Sequence, residues 1–392
     1  MRIQLWSCNY DPEPMGIAPL AGVWARAMAD RGHEVEVIAA HPHYPEPVWG
    51  GRIRPYRQRL EGIRVRRLPL FIGREGAKER LLQEVSFTTA LALVAPLLQK
   101  PDAIVSTSPS FPALLPGILT SRIRGVPWYI WLQDILPDGA VTTGYLEDAG
   151  MVVKASRLLE RSAYRTASGI IVLSRSFREN LLAKGVDDGK ITVAYNPATI
   201  SGDPLYGPDP DQPPRILVMG NIGRSQGLDS IVRDFEGDPE LAKKQARLVI
   251  AGSGVAEAEV RAAIKTDRVE MTGLLDQGQI REQLGRATLA AVTQAYDAGE
   301  FNVPSKLMNY LAAGMPVVAS VRRSSEAARI INEAGAGWLA EPGSFGSTVA
   351  GALADPKALA RCSKASHDFA RSNLSAEALA DRFELAMAGA GK

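Results

Sequence analysis

Short apolar runs of four to seven residues recur through this chain, and stretches of helical periodicity fit between most of them. Such alternation folds as a parallel sheet with helices on both faces. In the first half, Ile3–Ser7, Glu34–Ala39, Ile63–Arg67, Ala103–Thr107, Trp128–Leu132 and Gly169–Leu173 read as strands. Helices fit between them near 17–31, 79–98, 112–123, 150–167 and 175–184. In the second half, Arg215–Met219, Ala246–Ala251, Val269–Thr272, Leu289–Val292, Pro316–Ala319 and Gly337–Ala340 repeat the pattern. A chain of 392 residues exceeds what one hydrophobic core supports, so two doubly wound α/β domains are expected. Gly202–Pro214, with five prolines and two glycines, reads as an extended surface linker. That places an N-terminal domain at 1–199, a C-terminal domain at 200–375 and a final helix within 376–392.

Two segments of the second half match each other in design. MGNIGRSQGL at 219–228 runs from a strand through a Gly-rich turn holding one arginine into a helix. EFNVPSKLMNYLAAGMPVVAS at 300–320 starts a helix at Val303-Pro304-Ser305-Lys306 and closes it at Gly314-Met315-Pro316. A loop that opens a helix offers free backbone N–H groups and the positive end of the helix dipole, and each of these adds a cation. Two such features suit a diphosphate.

Several broad classes are excluded. The 45 basic and 43 acidic residues nearly cancel, so nothing global points to nucleic acid. The balance is uneven: residues 1–199 hold 24 Lys/Arg against 19 Asp/Glu, residues 200–392 hold 21 against 24. A net +5 half facing a net −3 half suits an anionic partner on the first. Cys8 and Cys362 lie far apart, in neither a disulfide framework nor a metal-ligand spacing. MRIQLWSCNY lacks a hydrophobic signal core, which predicts a cytoplasmic protein. The longest uncharged run found in the first half, Val85–Gln99, has 15 residues including Pro96, short of the about 20 that span a bilayer.

Taken in order, five stretches resemble one family. They are YDPEPMGIAPLAGVWARAMADRGHEVEVIAAHPHYP at 10–45, PDAIVSTSPSFPALL at 101–115 with WLQDILPDGAVTTG at 131–144, LERSAYRTASGIIVLSRSFRENLLAKGV at 159–186, VAYNPA at 193–198, and VPSKLMNYLAAGMPVVAS at 303–320. Together they resemble the GT4 glycosyltransferases, most closely the exopolysaccharide and lipopolysaccharide branch of colanic-acid and O-antigen transferases. The resemblance covers essentially the whole chain. It implies a GT-B fold, two Rossmann-like domains facing across a cleft, with the final helix crossing back onto the first. It also implies a retaining transfer from a nucleoside-diphosphate sugar, uridine favoured and guanosine next, without an essential metal or other cofactor. The acceptor it implies is a glycan or a polyprenyl-diphosphate-linked glycan.

The site residues follow from that resemblance joined to local chemistry. Gly16, between the first strand and its helix, lets the backbone approach a sugar or phosphate. Gly223 and Arg224 fall where the family holds the donor diphosphate, Arg224 through charge-assisted bonds. Gln226 stands where a lysine is usual, and Lys306, beside Val303, Pro304 and Ser305, is the substitute cation. Counting back from Gly314, the second glutamate of the family's E-x7-E motif falls on Asn309, which retains hydrogen bonding suited to a ribose. The first falls on Phe301, with Glu300 one residue early as the candidate contact to the transferred sugar. Gln133 takes the place of a histidine common near the end of the Trp-rich strand, so Asp134 is the candidate there. His41 and His43 lack a third metal ligand and are read as acceptor-side contacts. VIAGSGVAEAEV at 249–260 imitates a dinucleotide fingerprint but holds Glu257 at the third glycine position, so it is read as scaffolding.

In this picture Arg224 and Lys306 stabilise the departing diphosphate, Asp134 and Glu300 orient the sugar, and the leaving group takes the acceptor proton. Domain closure about 199–214 would exclude water. Seven arginines in Arg52–Arg67, beside the largely uncharged Arg80–Leu98 helix, suggest an anionic membrane surface at the inner face. Two competitors remain: a GT-B sugar-nucleotide epimerase, disfavoured by the scarcity of histidine, and a non-catalytic glycan-assembly subunit whose donor site has decayed at Gln226 and Asn309.

Overall fold

The computed structural model describes residues 1–14, 16–43, 54–73, 77–108, 113–134, 151–200, 202–295 and 304–389. The chain divides into two compact units, Met1–Pro197 with Ala376–Lys392, and Ala198–Ser375. Each is built on a parallel sheet, as the alternation predicts.

The first sheet has the order β3-β4-β2-β1-β5-β6-β7-β8. Its strands are β1 (Arg2–Ser7), β2 (Glu34–Ala40), β3 (Tyr56–Leu60), β4 (Ile63–Leu68), β5 (Ala103–Thr107), β6 (Trp128–Leu132), β7 (Gly169–Val172) and β8 (Ile191–Val193). All pairings are parallel except β3 with β4. The apolar runs did not reveal β3 or β8. YRQRL alternates charge with apolar residues at a sheet edge, and β8 is three residues long. Helices α1 (Ile17–Asp30), α2 (Ala77–Val94), α3 (Leu114–Arg124), α4 (Met151–Thr166) and α5 (Arg175–Ala183) connect the strands.

The second sheet runs β11-β10-β9-β12-β13-β14, wholly parallel. These are β9 (Arg215–Met219), β10 (Arg247–Ala251), β11 (Val269–Gly273), β12 (Leu289–Thr293), β13 (Val317–Ser320) and β14 (Gly337–Leu339). Its helices are α6 (Leu228–Gly237), α7 (Pro239–Lys243), α8 (Glu257–Ala263), α9 (Gln277–Arg286), α10 (Ser305–Ala312), α11 (Glu326–Ala334), α12 (Phe345–Leu353) and α13 (Pro356–Asn373).

Strand order reverses between β1 and β5 in the first sheet, and between β9 and β12 in the second. Crevices at such switch points, beyond the carboxyl ends of the strands, are where doubly wound sheets hold ligands. The loop after β1 and the turn after β9 therefore occupy corresponding places.

Buried aliphatic rows fill both cores. In the second unit Ile216, Val218, Leu248, Ile250 and Leu289 from the sheet meet Ile231, Val232, Phe235 and Val349 from helices. In the first unit the centre is aromatic. Trp24 of α1 lies 6.2 Å from Trp131 of β6, and both stand 5.1 Å from Phe383. Phe383 belongs to α14 (Ala376–Gly389), whose Leu379, Ala380 and Phe383 are wholly buried in that core. Segment 202–214 is tied down within the second unit, where the Leu205 and Tyr206 amides donate to the Ala313 carbonyl.

Candidate functional site

The turn after β9 is shaped by glycines under compression. Gly220 takes φ +113, and Gly252, after β10, takes φ +152. A Cβ at Gly252 would stand 1.8 Å from the Gly220 carbonyl oxygen, and one at Gly254 would stand 2.4 Å from that of Ile222. The two loops zip together: the Gly220 amide donates to Ala251 at 2.8 Å, and the Ile222 amide to Ser253 at 2.9 Å. Segment 249–260 thus props the 220–224 turn.

From Gly223 the backbone makes a 3-10 turn over Arg224–Gln226, turns left-handed at Gly227 with φ +62, and starts α6. The Ser225 carbonyl is held by the Ala295 amide at 2.7 Å. Arg224 projects outward with its side chain 76% exposed, and its Nε donates to Glu259 Oε1 at 3.2 Å.

Across from this turn, Pro304 caps α10 and Lys306 sits in its first turn. Its Nζ donates to Gln226 Oε1 at 2.9 Å, and its Cδ lies 3.9 Å from the place of a Cβ on Gly220. The cation of one segment is therefore hydrogen-bonded to the residue that replaces a cation in the other. Surrounding protein desolvates the Lys306 ammonium and lowers its pKa to about 8. That leaves it largely protonated at neutral pH.

Two anchors on α10 were not anticipated. The Tyr310 hydroxyl, fully buried, accepts from the Met219 amide at 2.6 Å and so bolts the helix to the end of β9. Burial raises the Tyr310 pKa. Tyr310 shows in the sequence only as an aromatic in an apolar run. Asn309 faces the start of the second unit. Its Oδ1 accepts from the Thr199 amide at 2.8 Å and the Ile200 amide at 3.3 Å, and its Nδ2 donates to Thr199 Oγ1 at 3.0 Å. The carboxamide expected at a ribose is engaged with this backbone. Glu300 and Val303 lie outside the described residues.

In the first unit, Gly16 caps α1 with φ +66 and open space where a Cβ would be. Asp134 is exposed past the end of β6. The Gln133 and Asp134 amides both donate to buried Ser108 Oγ, at 2.9 and 3.2 Å, and Gln133 exchanges amide hydrogen bonds with Asn196 at 2.9 and 2.8 Å.

His41 and His43 are buried, which corrects their reading as acceptor-side contacts. His43 Nδ1 lies 2.9 Å from the His41 carbonyl, and its amide donates to Glu13 Oε1 at 2.8 Å. Glu13, itself buried, also accepts from Asn9 Nδ2 at 3.0 Å and the Tyr10 amide at 3.3 Å. The pair fastens the loop after β1 rather than facing outward. Among the described residues no group of three or more His, Cys, Asp or Glu could hold a metal ion.

The arginine flank is divided: Arg54, Arg57 and Arg59 are exposed, whereas three arginines of β4 are spent on the fold. Arg67 is buried, donating to the Ala40 carbonyl at 3.0 Å and to that of Asp11. Arg64 pairs with Glu34 and Arg66 with Glu36. Among the described residues no helix is long and apolar enough to cross a membrane.

Two doubly wound, mainly parallel sheets, each with a glycine-bearing loop at its switch point, are the architecture of the GT-B fold. Solved structures share the fold over the whole chain. Sucrose-phosphate synthase from Thermosynechococcus elongatus matches at TM-score 0.71 and 17% identity, covering 98% of both chains. Anabaena HepE, solved in complex with UDP-glucose, matches at TM-score 0.67 and 16% identity over 99% of both. Residues 15–197 match the glycosyl transferase 4-like domain, and residues 213–356 match the glycosyl transferases group 1 model. The chain belongs to the GT4 family of glycosyltransferases. Among curated relatives it is 27% identical over 374 residues to the colanic acid biosynthesis glycosyl transferase WcaI of Escherichia coli, spanning 90% of this chain and 91% of that one.

Proposed function

We propose that this enzyme transfers a hexosyl or N-acetylhexosaminyl unit from a UDP-sugar to a glycan or polyprenyl-diphosphate-linked acceptor, with retention of anomeric configuration, in exopolysaccharide or lipopolysaccharide synthesis. A GDP-sugar is the second choice of donor. The observation that carries the reading is the meeting of Lys306 with Gln226 beside Arg224 at the switch point of the second sheet. The HepE complex with UDP-glucose and the colanic acid relative support the donor and the pathway class.

In this reading Gly223, Arg224, Pro304, Ser305 and Lys306 hold the diphosphate, and Val303 and Asn309 flank the nucleoside. The sugar C1–oxygen bond to the diphosphate breaks as the acceptor oxygen bonds C1 from the same face. The acceptor proton passes to the departing diphosphate oxygen, and Arg224 and Lys306 stabilise the charge developing there. Asp134 and Glu300 orient the sugar, and Gly16 admits it close to the backbone. The role needs no metal, because two cations and a helix N-terminus carry the diphosphate charge. A cytoplasmic enzyme working at the inner membrane face fits a lipid-linked acceptor.

The test is UDP binding by calorimetry, with and without chelator. Arg224→Ala is expected to weaken UDP about 10- to 100-fold, the range of a lost hydrogen bond to a charged group. Unchanged affinity would remove the assignment.

A further inference from the structure

Helix α3 is apolar on both sides. Leu114, Pro116 and Ile118 face the core, while Leu115, Leu119 and Ile123, spaced four apart, form an exposed stripe. A helix apolar all round normally has cover on every side. Neighbouring elements extend the patch, since α3 packs against α2 and α4. Leu93 near the end of α2 is 70% exposed, Leu97 of the following 3-10 turn 80%, Ile123 79% and Leu158 of α4 71%.

The charges among these residues have one sign. Helix α3 has no acid, and its Arg122 is exposed beside Ile123. On α4, Lys154, Leu158, Arg161 and Arg165 share one exposed face at helical spacing. Its acid, Glu160, is buried and paired with Lys184 at 2.8 Å. The β3–β4 hairpin has exposed cations in Arg57 and Arg59, but no exposed leucine stands among them, and its Arg64, Arg66 and Arg67 are paired or buried. Charges are depleted from the cores of protein interfaces, whereas leucines interleaved with unpaired cations suit a bilayer surface.

We infer that the face formed by the end of α2, α3 and α4 docks on an anionic lipid bilayer; this rests on the reading of the acceptor as lipid-linked. The leucines and Ile123 enter the interfacial zone while the cations meet lipid phosphates.

Cosedimentation of the full chain with phosphatidylcholine vesicles, with and without about one third phosphatidylglycerol, tests this. Binding is expected on the anionic vesicles and roughly tenfold weaker on neutral ones. Leu97→Ser with Ile123→Ser, and separately Arg161→Glu with Arg165→Glu, should each weaken it about tenfold; all four positions are exposed, so the fold should persist. No binding to anionic vesicles, or equal binding by both variants, overturns the inference. So does a concentration-dependent dimer that the serine variant dissolves, which would give the face to a second copy. UDP thermal shifts on the same samples separate the two readings: a wild type that binds vesicles without a UDP shift defeats the nucleotide assignment alone, and a UDP shift without vesicle binding defeats the docking alone.

Discussion

Lys306 and Arg224 hold opposite kinds of charge environment within one site. Arg224 is exposed and paired with Glu259, an association worth about 0.2–1 kcal/mol at most. A phosphate oxygen draws it away with ease, because charge-assisted bonds to a guanidinium are stronger. Lys306 is poised by desolvation, with its pKa lowered to about 8. A bound diphosphate stabilises the ammonium and raises that value again. UDP affinity should therefore be flat below about pH 8 and fall by up to about tenfold per unit above it, with proton uptake on binding. Calorimetry in two buffers of different ionisation heat, just above that pH, checks the uptake, and Lys306→Met should abolish it. For folding the sign is opposite. A folded-state value below the unfolded one makes the charged lysine destabilising, and this penalty is relieved as pH rises through about 8. That the 219–228 turn and the start of α10 meet was legible, because each is a loop-to-helix entry on the same doubly wound sheet. The contacts made by Asn309 and Tyr310 were not, because each joins residues about 90 to 110 positions apart.

At the scale of elements, the site is a turn braced by its neighbour. Gly252 touches no proposed ligand, yet a side chain there must displace the Gly220 carbonyl. Gly252→Ala should lower stability by more than about 2 kcal/mol and weaken UDP binding, because the displaced turn carries Arg224. Gly343→Ala is the control. Its φ of +73 is equally foreign to alanine, but nothing lies within 4 Å, so it should cost only about 1–2 kcal/mol and spare UDP affinity. Denaturant melts with paired UDP titrations separate the two. Among elements, strands made of continuous aliphatic runs were readable from composition. Strand β3 was not, since its arginines and Tyr56 gain a place only by pairing with β4. The same hairpin shows why counting arginines does not measure a basic surface: Arg67 is consumed in holding the loop after β1, while Arg57 and Arg59 of β3 stay exposed.

Over the whole molecule, the two cores are separate in composition and in chain order. Phe383→Ala removes an aromatic from between Trp24 and Trp131, a loss of about 3–5 kcal/mol for the first unit. Calorimetric scans should show that unit melting earlier while UDP still protects the second; a single transition shifting as one would contradict two independent cores. Strand–helix alternation foretold two sheets, and it was the family resemblance, not the pattern of α14 itself, that assigned this helix to the first unit. The second unit's ends are joined: the Ala198 amide donates to the Leu374 carbonyl at 3.0 Å. The unit is thus an insertion looped out of the first and closed at its own neck. During synthesis residues 198–375 can finish folding while the earlier-made residues still await α14. The part that begins first is the part that matures last, and in the interval its aromatic centre lies open to whatever chaperone or neighbour reaches it.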